Sequence, residues 1–171
     1  SLCEKMDEIY EFRVIGGEPF MNKEVHLVVE KLTSKRNIEK VSIFTNATIV
    51  PRETQWPALS HPKVRFFITE YKLSRNLHPL IEELENRGIA YVSEEANGWT
   101  DCAALGKHNR TEEGQRAIWD ACCAKNLATL HDGMLYRCPF SANAAKLKAI
   151  PDYTEDYLVV RSASREQIRS F

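Results

Sequence analysis

Phe12-Arg13-Val14-Ile15-Gly16-Gly17-Glu18-Pro19 is the stretch on which the reading of this chain turns. An apolar run stops at two adjacent glycines, which let a backbone leave a strand sharply and approach a ligand closely. A carboxylate and a fixed-φ proline follow, and a helical pattern begins at Asn22. The stretch reads as a strand whose end has become a ligand shelf.

Working outward, Met6 to Tyr10 reads as the tail of a helix, and the strand is Phe12–Ile15. Val25, Val28, Val29 and Leu32 fall on one helical face, with Asn22 as N-cap and Glu24 in the first turn. A second strand, Val41–Phe44, ends at Thr45-Asn46, and a loop carrying Pro51, Pro57 and Pro62 follows. The third strand is Val64–Ile68. Leu77, Leu80, Ile81 and Leu84 repeat the helical spacing, Gly88 stops it, and Ile89–Val92 is a fourth strand. Strand and helix alternate with crossovers long enough for parallel pairing, each expected to be right-handed. The organisation changes after about Glu95, which predicts two parts, 1–95 and 96–171. In the second part Asn97 to Gly106 reads as loop. Asn109 or Thr111 caps a helix reaching Ala121, and Asp132-Gly133 between Leu127–Leu130 and Leu135–Cys138 signals a hairpin. Tyr157–Val160 is a further strand, and the polar tail has no clear type.

Composition narrows the function. The 171 residues are 43% hydrophobic and 27% charged, ordinary for a globular protein. Lys and Arg total 23 against 24 Asp and Glu, a net charge of -1, so neither nucleic acid nor a membrane surface is an expected partner. No apolar stretch approaches the ~20 residues that span a bilayer. The N-terminus has no signal-peptide apolar region and no initiator Met, which predicts a trimmed or excerpted chain. Five cysteines without a secretory signal favour a reducing, cytoplasmic compartment with thiols free or on metal.

Two groups of residues carry chemistry. Ligands of parallel α/β folds collect at the carboxyl ends of the strands. Those ends hold Gly16-Gly17-Glu18-Pro19, Thr45-Asn46 and Thr69-Glu70, although any βα loop prefers such turn residues. The second group is Cys122, Gly133 and Cys138 in the spacing Cys-x10-Gly-x4-Cys. A hairpin returns the second thiolate towards the first, and thiolates are the usual ligands of iron–sulfur clusters. Cys123 meets nearly the same spacing, Cys102 is a third candidate, and His131 is a non-Cys alternative. Zinc suits the same donors. Cys3 reads as a small buried hydrophobe. His26, His61, His78 and His108 are scattered surface or packing residues, and Trp56, Trp99 and Trp119 are core or loop anchors.

Gly16, Gly17, Glu18 and Pro19 match, residue for residue, the Gly-Gly-Glu-Pro motif of the radical S-adenosylmethionine (SAM) superfamily, and the resemblance covers most of residues 6–138. Thr45-Asn46 is similar to the Thr-Asn-Gly that often ends the family's next strand, with Ala47 in place of the glycine. Thr69-Glu70 resembles a polar pair near the SAM ribose. Cys122 to Cys138 looks like the opening of a SPASM or twitch auxiliary-cluster module. The resemblance implies a partial (β/α) barrel of parallel strands with a cysteine-bearing C-terminal hairpin. It implies SAM and an iron–sulfur cluster as cofactors, and a 5′-deoxyadenosyl radical that takes a hydrogen from a substrate the sequence does not name. It also implies that Glu18 and the backbone around Gly16-Gly17 orient SAM's methionine end.

The family's catalytic-cluster motif, Cys-x-x-x-Cys-x-x-Cys, does not occur in this sequence. The chain by itself is therefore expected to be catalytically inert, and no catalytic residue is assigned. Its first strand is expected to present an unpaired edge through which the chain self-associates. The rival readings are a thiolate-zinc module without catalysis and an α/β nucleotide- or phosphate-binding, glycosyl-transferring domain with the glycine shelf at a phosphate.

Overall fold

Alternating apolar strands and amphipathic helices build a mixed α/β chain, described in a computed structural model over residues 1–98, 106, 108–144 and 146–171. Its elements run α1 (Leu2–Lys5), β1 (Ile9–Val14), α2 (Val25–Thr33), β2 (Ile38–Thr45), α3 (Trp56–Leu59), β3 (Val64–Glu70), α4 (Leu77–Asn86), β4 (Tyr91–Glu95), α5 (Glu112–Ala121), β5 (Thr129–His131), β6 (Met134–Tyr136), α6 (Pro139–Ala144), β7 (Tyr157–Val159) and α7 (Arg165–Ser170). The described chain divides into two units, Asp7–Gly98 and Ser1–Met6 with Trp99–Phe171. The expected boundary after Glu95 thus shifts by a few residues, and the first six residues belong with the C-terminal part. The cause is local. Leu2 and Met6 pack against the core of Leu135, Val160, Ala163 and Ile168, and the Lys5 ammonium donates to the carbonyls of Val160 and Ala163 at 2.7 and 2.6 Å.

In the Asp7–Gly98 unit the strands are parallel and lie in sequential order β1-β2-β3-β4. Right-handed crossovers that always step the same way leave every connecting helix on one face. Burial follows that rule. Val41 and Ile43 of β2 and Val64, Phe66 and Ile68 of β3 point one way and are buried with Val29, Trp56, Leu80 and Leu84. Phe66 is the centre of this layer, stacked on Phe20 at 5.9 Å and tilted against Trp56 at 6.4 Å between ring centroids. The opposite face carries Arg13, Ser42, Phe44, Arg65 and Phe67. Among the described residues no strand pairs with the outer edge of β1.

Several boundaries differ from the sequence reading. Ile9 and Tyr10 belong to β1 rather than to a helix tail, because Ile9 is already in register with Ile38. Asn22 is not the N-cap of α2; Glu24 is, and the Asn22 side chain accepts the Glu24 N–H at 2.9 Å. Val28 lies 44% exposed, off the buried stripe of Val25, Val29 and Leu32. The proline loop contains α3, with Pro57 in its first turn, where a missing N–H costs nothing. β4 begins at Tyr91 and extends to Glu95.

The other unit contains the antiparallel sheet β5-β6-β7. The predicted hairpin is present, with Asp132 at φ 48° and Gly133 at φ 79°, the left-handed pair that a tight two-residue turn demands. Thr111 caps α5, its hydroxyl accepting the Gly114 N–H at 3.2 Å. The polar tail is α7, closed by a reciprocal capping box between Ser164 and Gln167. Among the described residues no helix is long and apolar enough to cross a membrane.

Candidate functional site at the strand ends

Beyond β1 the backbone of Ile15, Gly16 and Gly17 is exposed, and the chain then dives inward: Glu18, Pro19 and Phe20 are all buried. Phe20 drives this turn, since its ring seats on Phe66. Glu18 is carried down with it and is only 7% exposed. A carboxylate there needs donors, and three are supplied. Its Oε1 accepts the Phe20 N–H at 3.1 Å. Its Oε2 accepts the Thr45 hydroxyl at 2.7 Å and the Asn46 N–H at 2.9 Å. The Asn46 amide in turn donates to the Gly17 carbonyl at 3.2 Å. One buried carboxyl group therefore ties the end of β1 to the end of β2.

Oε1 accepts one of these bonds and Oε2 two, so Glu18 holds the two strand ends together. The groups left at the surface are the peptides of Gly16 and Gly17. Neither glycine has positive φ, and a Cβ built on either meets nothing within 4 Å. The fold therefore tolerates a side chain at both positions.

Ala47, which stands where the resemblance expects glycine, is fully buried and has φ 55°. That left-handed conformation costs an L-residue roughly 1–2 kcal/mol, so the position makes a glycine-like demand on the backbone. It is held by its neighbours. The Ala47 carbonyl accepts the Asn76 N–H at 3.1 Å, the Asn46 carbonyl accepts the Ser74 hydroxyl at 2.7 Å, and the Asn76 amide donates to the Thr48 carbonyl at 2.6 Å. The loops after β2 and β3 are thereby clipped together.

The third predicted pair divides between the two faces of the sheet. Thr69 shares the Phe67 face and stands opposite Glu94, while Glu70 shares the Phe66 face and accepts the Ser93 hydroxyl at 2.6 Å. Gly16, Gly17, Glu18, Pro19, Thr45, Asn46 and Thr69 thus border one end of the sheet, and Glu70 is turned towards β4.

Sequence reasoning missed a cluster on the other sheet face. Ser42 donates to Glu11 Oε1 at 2.6 Å, and Arg13 Nε donates to Glu11 Oε2 at 2.7 Å. The Arg13 guanidinium lies 5.5 Å from the Phe44 ring centroid, and Phe44 stacks on Phe67 at 4.8 Å. Burial opposes ionisation of Glu11, but the hydrogen bonds from Ser42 and Arg13 prevail and hold its carboxyl below the usual glutamate range. A signal existed in the strands: Glu11 and Arg13, and Lys40 and Ser42, alternate with apolar neighbours. A sheet with helices on both faces would have continuous apolar strands.

The cysteines lie in the other unit. Cys122 ends α5 and Cys138 precedes α6, both half-buried, while Cys123 is exposed and all three thiols are free. Cys122 Sγ accepts the Ala124 N–H at 3.4 Å and Cys138 Sγ accepts the Phe140 N–H at 3.3 Å. His131 is engaged elsewhere, with Nε2 3.0 Å from the Lys146 ammonium and 3.4 Å from Asp132. Among the described residues no group of three or more His, Cys, Asp or Glu is placed to hold a metal ion, so Cys122, Cys123 and Cys138 do not form one. Cys102 lies outside the described residues. No protein-family model matches this sequence, and no curated protein matches it either.

Proposed function

We propose that the Asp7–Gly98 unit is part of a radical SAM core, a partial (β/α) barrel whose strand ends bind SAM. The observation that carries the reading is the Glu18 lock, in which the Gly-Gly-Glu-Pro turn is bonded to Thr45-Asn46 on the next strand. Two features support it. Sequential strand order with helices on one face is how a singly wound barrel starts, and Ala47 has the backbone a glycine would take. In this reading the exposed peptides of Gly16 and Gly17 receive SAM's amino end. Asn46 orders the Gly17 carbonyl, and Glu18 fixes the distance between the two strand ends. SAM held there would supply 5′-deoxyadenosyl radical chemistry, for which a reduced cluster would be needed. This sequence lacks the cluster motif, so the chain alone binds SAM without cleaving it. The β1 edge is the place where it self-associates.

We read Cys122 and Cys138, with Cys123 and Cys102 as further candidates, as ligands of an auxiliary iron–sulfur cluster. The Cys-x10-Gly-x4-Cys spacing carries this reading, and the described residues alone do not supply a full ligand set. Iron and sulfide analysis of anaerobically prepared protein tests this part. The wild type is expected to retain both, and Cys138→Ser to retain less of each. One equivalent of zinc without sulfide would replace the cluster reading with a zinc module.

A further inference from the structure

The sheet face opposite the helices is built in rows, and two adjacent rows have complementary chemistry. In register across three strands, Arg13 stands beside Ser42 and Ser42 beside Arg65. Two residues further along, Phe44 stands beside Phe67 and Phe67 beside Val92. Neighbouring parallel strands lie about 4.8 Å apart, so the two arginines flank Ser42 with their backbones about 10 Å from each other.

The cationic row is held in place from below. Ser42 fixes Glu11, Glu11 fixes Arg13 through Nε alone, and the guanidinium rests over Phe44. This leaves both terminal nitrogens of Arg13 without a hydrogen bond among the described residues, in the fork geometry that matches a carboxylate or phosphate. Arg65 is exposed and has no charge partner among the described residues. Lys40, in register with Glu11, adds a third cation, with its ammonium 3.9 Å from the Tyr10 ring centroid. Three cations thus face one carboxylate, Glu11; Glu94 lies beyond the aromatic row, opposite Thr69. Next to the cations, the Phe44–Phe67 stack and the 44% exposed Val92 form an apolar strip.

We propose that this face is a binding site for a small aromatic anion, its carboxylate or phosphate on the Arg13–Arg65 row and its ring along Phe44, Phe67 and Val92. The site adjoins the strand ends that carry the glycine shelf, and it does not depend on SAM being the shelf's ligand. Charge complementarity selects the acid, and the aromatic strip selects the ring.

The test titrates the full chain with benzoate, phenyl phosphate, benzamide and inorganic phosphate, followed by amide chemical shifts and calorimetry. Benzoate or phenyl phosphate is expected to bind and to shift the amides of Arg13, Phe44 and Phe67. The tighter of the two names the acid. Arg13→Gln with Arg65→Gln should weaken that ligand at least about tenfold, and Arg13→Lys, which keeps the charge and loses the fork, should fall between. Phe44→Leu should weaken it about threefold while leaving the amide spectrum folded. Equal binding of neutral benzamide would overturn the proposal in favour of a merely apolar surface. Equal binding of inorganic phosphate would overturn it in favour of charge alone, and absence of binding by both aromatic acids would also overturn it.

Discussion

The two units of this chain solve the problem of folding differently. The Asp7–Gly98 unit buries whole side chains: Trp56, Phe66, Leu59, Leu80 and Leu84 are each at most 1% exposed. The C-terminal unit has a small core of Leu135, Val160, Ala163 and Ile168, and α5 buries no residue at all. Its order comes instead from caps, the Asp132-Gly133 turn and the Lys5 ammonium on the carbonyls of Val160 and Ala163. The first unit can therefore hold a preorganised polar edge. The second holds its thiols on short elements with less packing behind them.

The largest effect should separate the two cores. Phe66→Ala removes a ring at the centre of the helix-covered layer and is expected to cost about 4 kcal/mol. Leu135→Ala, in the smaller core, is expected to cost about 2 kcal/mol. Urea denaturation with hydrogen exchange on each unit's amides reads both. Equal losses would erase the contrast between a deep core and a shallow one.

A smaller effect sharpens the comparison inside the first unit. Glu18→Ala leaves the Phe20 N–H, the Thr45 hydroxyl and the Asn46 N–H without their shared acceptor. The expected loss is about 2–3 kcal/mol, concentrated in exchange at the β1 and β2 ends. A change within about 0.5 kcal/mol, as for an ordinary surface carboxylate, would mean that Glu18 ties nothing together.

The smallest effect is at Ala47. Replacement by glycine relieves the left-handed strain of roughly 1–2 kcal/mol, loses about 0.8 kcal/mol of methyl burial, and adds about 0.5–1 kcal/mol of unfolded-state entropy. These nearly cancel, so Ala47→Gly should lie within about 0.5 kcal/mol of wild type. Burial alone predicts a clear loss, and thermal denaturation of the single variant distinguishes the two.

The contrast also explains what was legible in the sequence. Deep burial writes itself as periodicity, so Val25, Val29 and Leu32, and Leu80 and Leu84, marked their helices. Asp132-Gly133 marked the hairpin because few residues take left-handed backbone. The sequence reading starts β1 too late, although half-buried Ile9 and Glu11 flank exposed Tyr10 as in a half-covered strand. The α7 helix was missed although Ser164 and Gln167 form a sequence-level capping box. At the site, Gly16, Gly17, Thr45 and Asn46 could be grouped from their positions after strands. The burial of Glu18 could not, because it follows from Phe20 reaching Phe66, a contact between residues 46 positions apart. The cysteine spacing gave distance along the chain, and a metal site depends on distance through space.

SAM titration of the wild type and Gly16→Val by calorimetry tests the central claim most directly. The fold has room for the valine and needs no positive φ at that position, so the variant should keep the wild-type spectrum and stability. The account predicts that SAM binds the wild type and that the branched side chain, standing where the ligand approaches the backbone, abolishes binding. A folded variant that binds SAM as the wild type does, or a wild type that does not bind SAM, would contradict it.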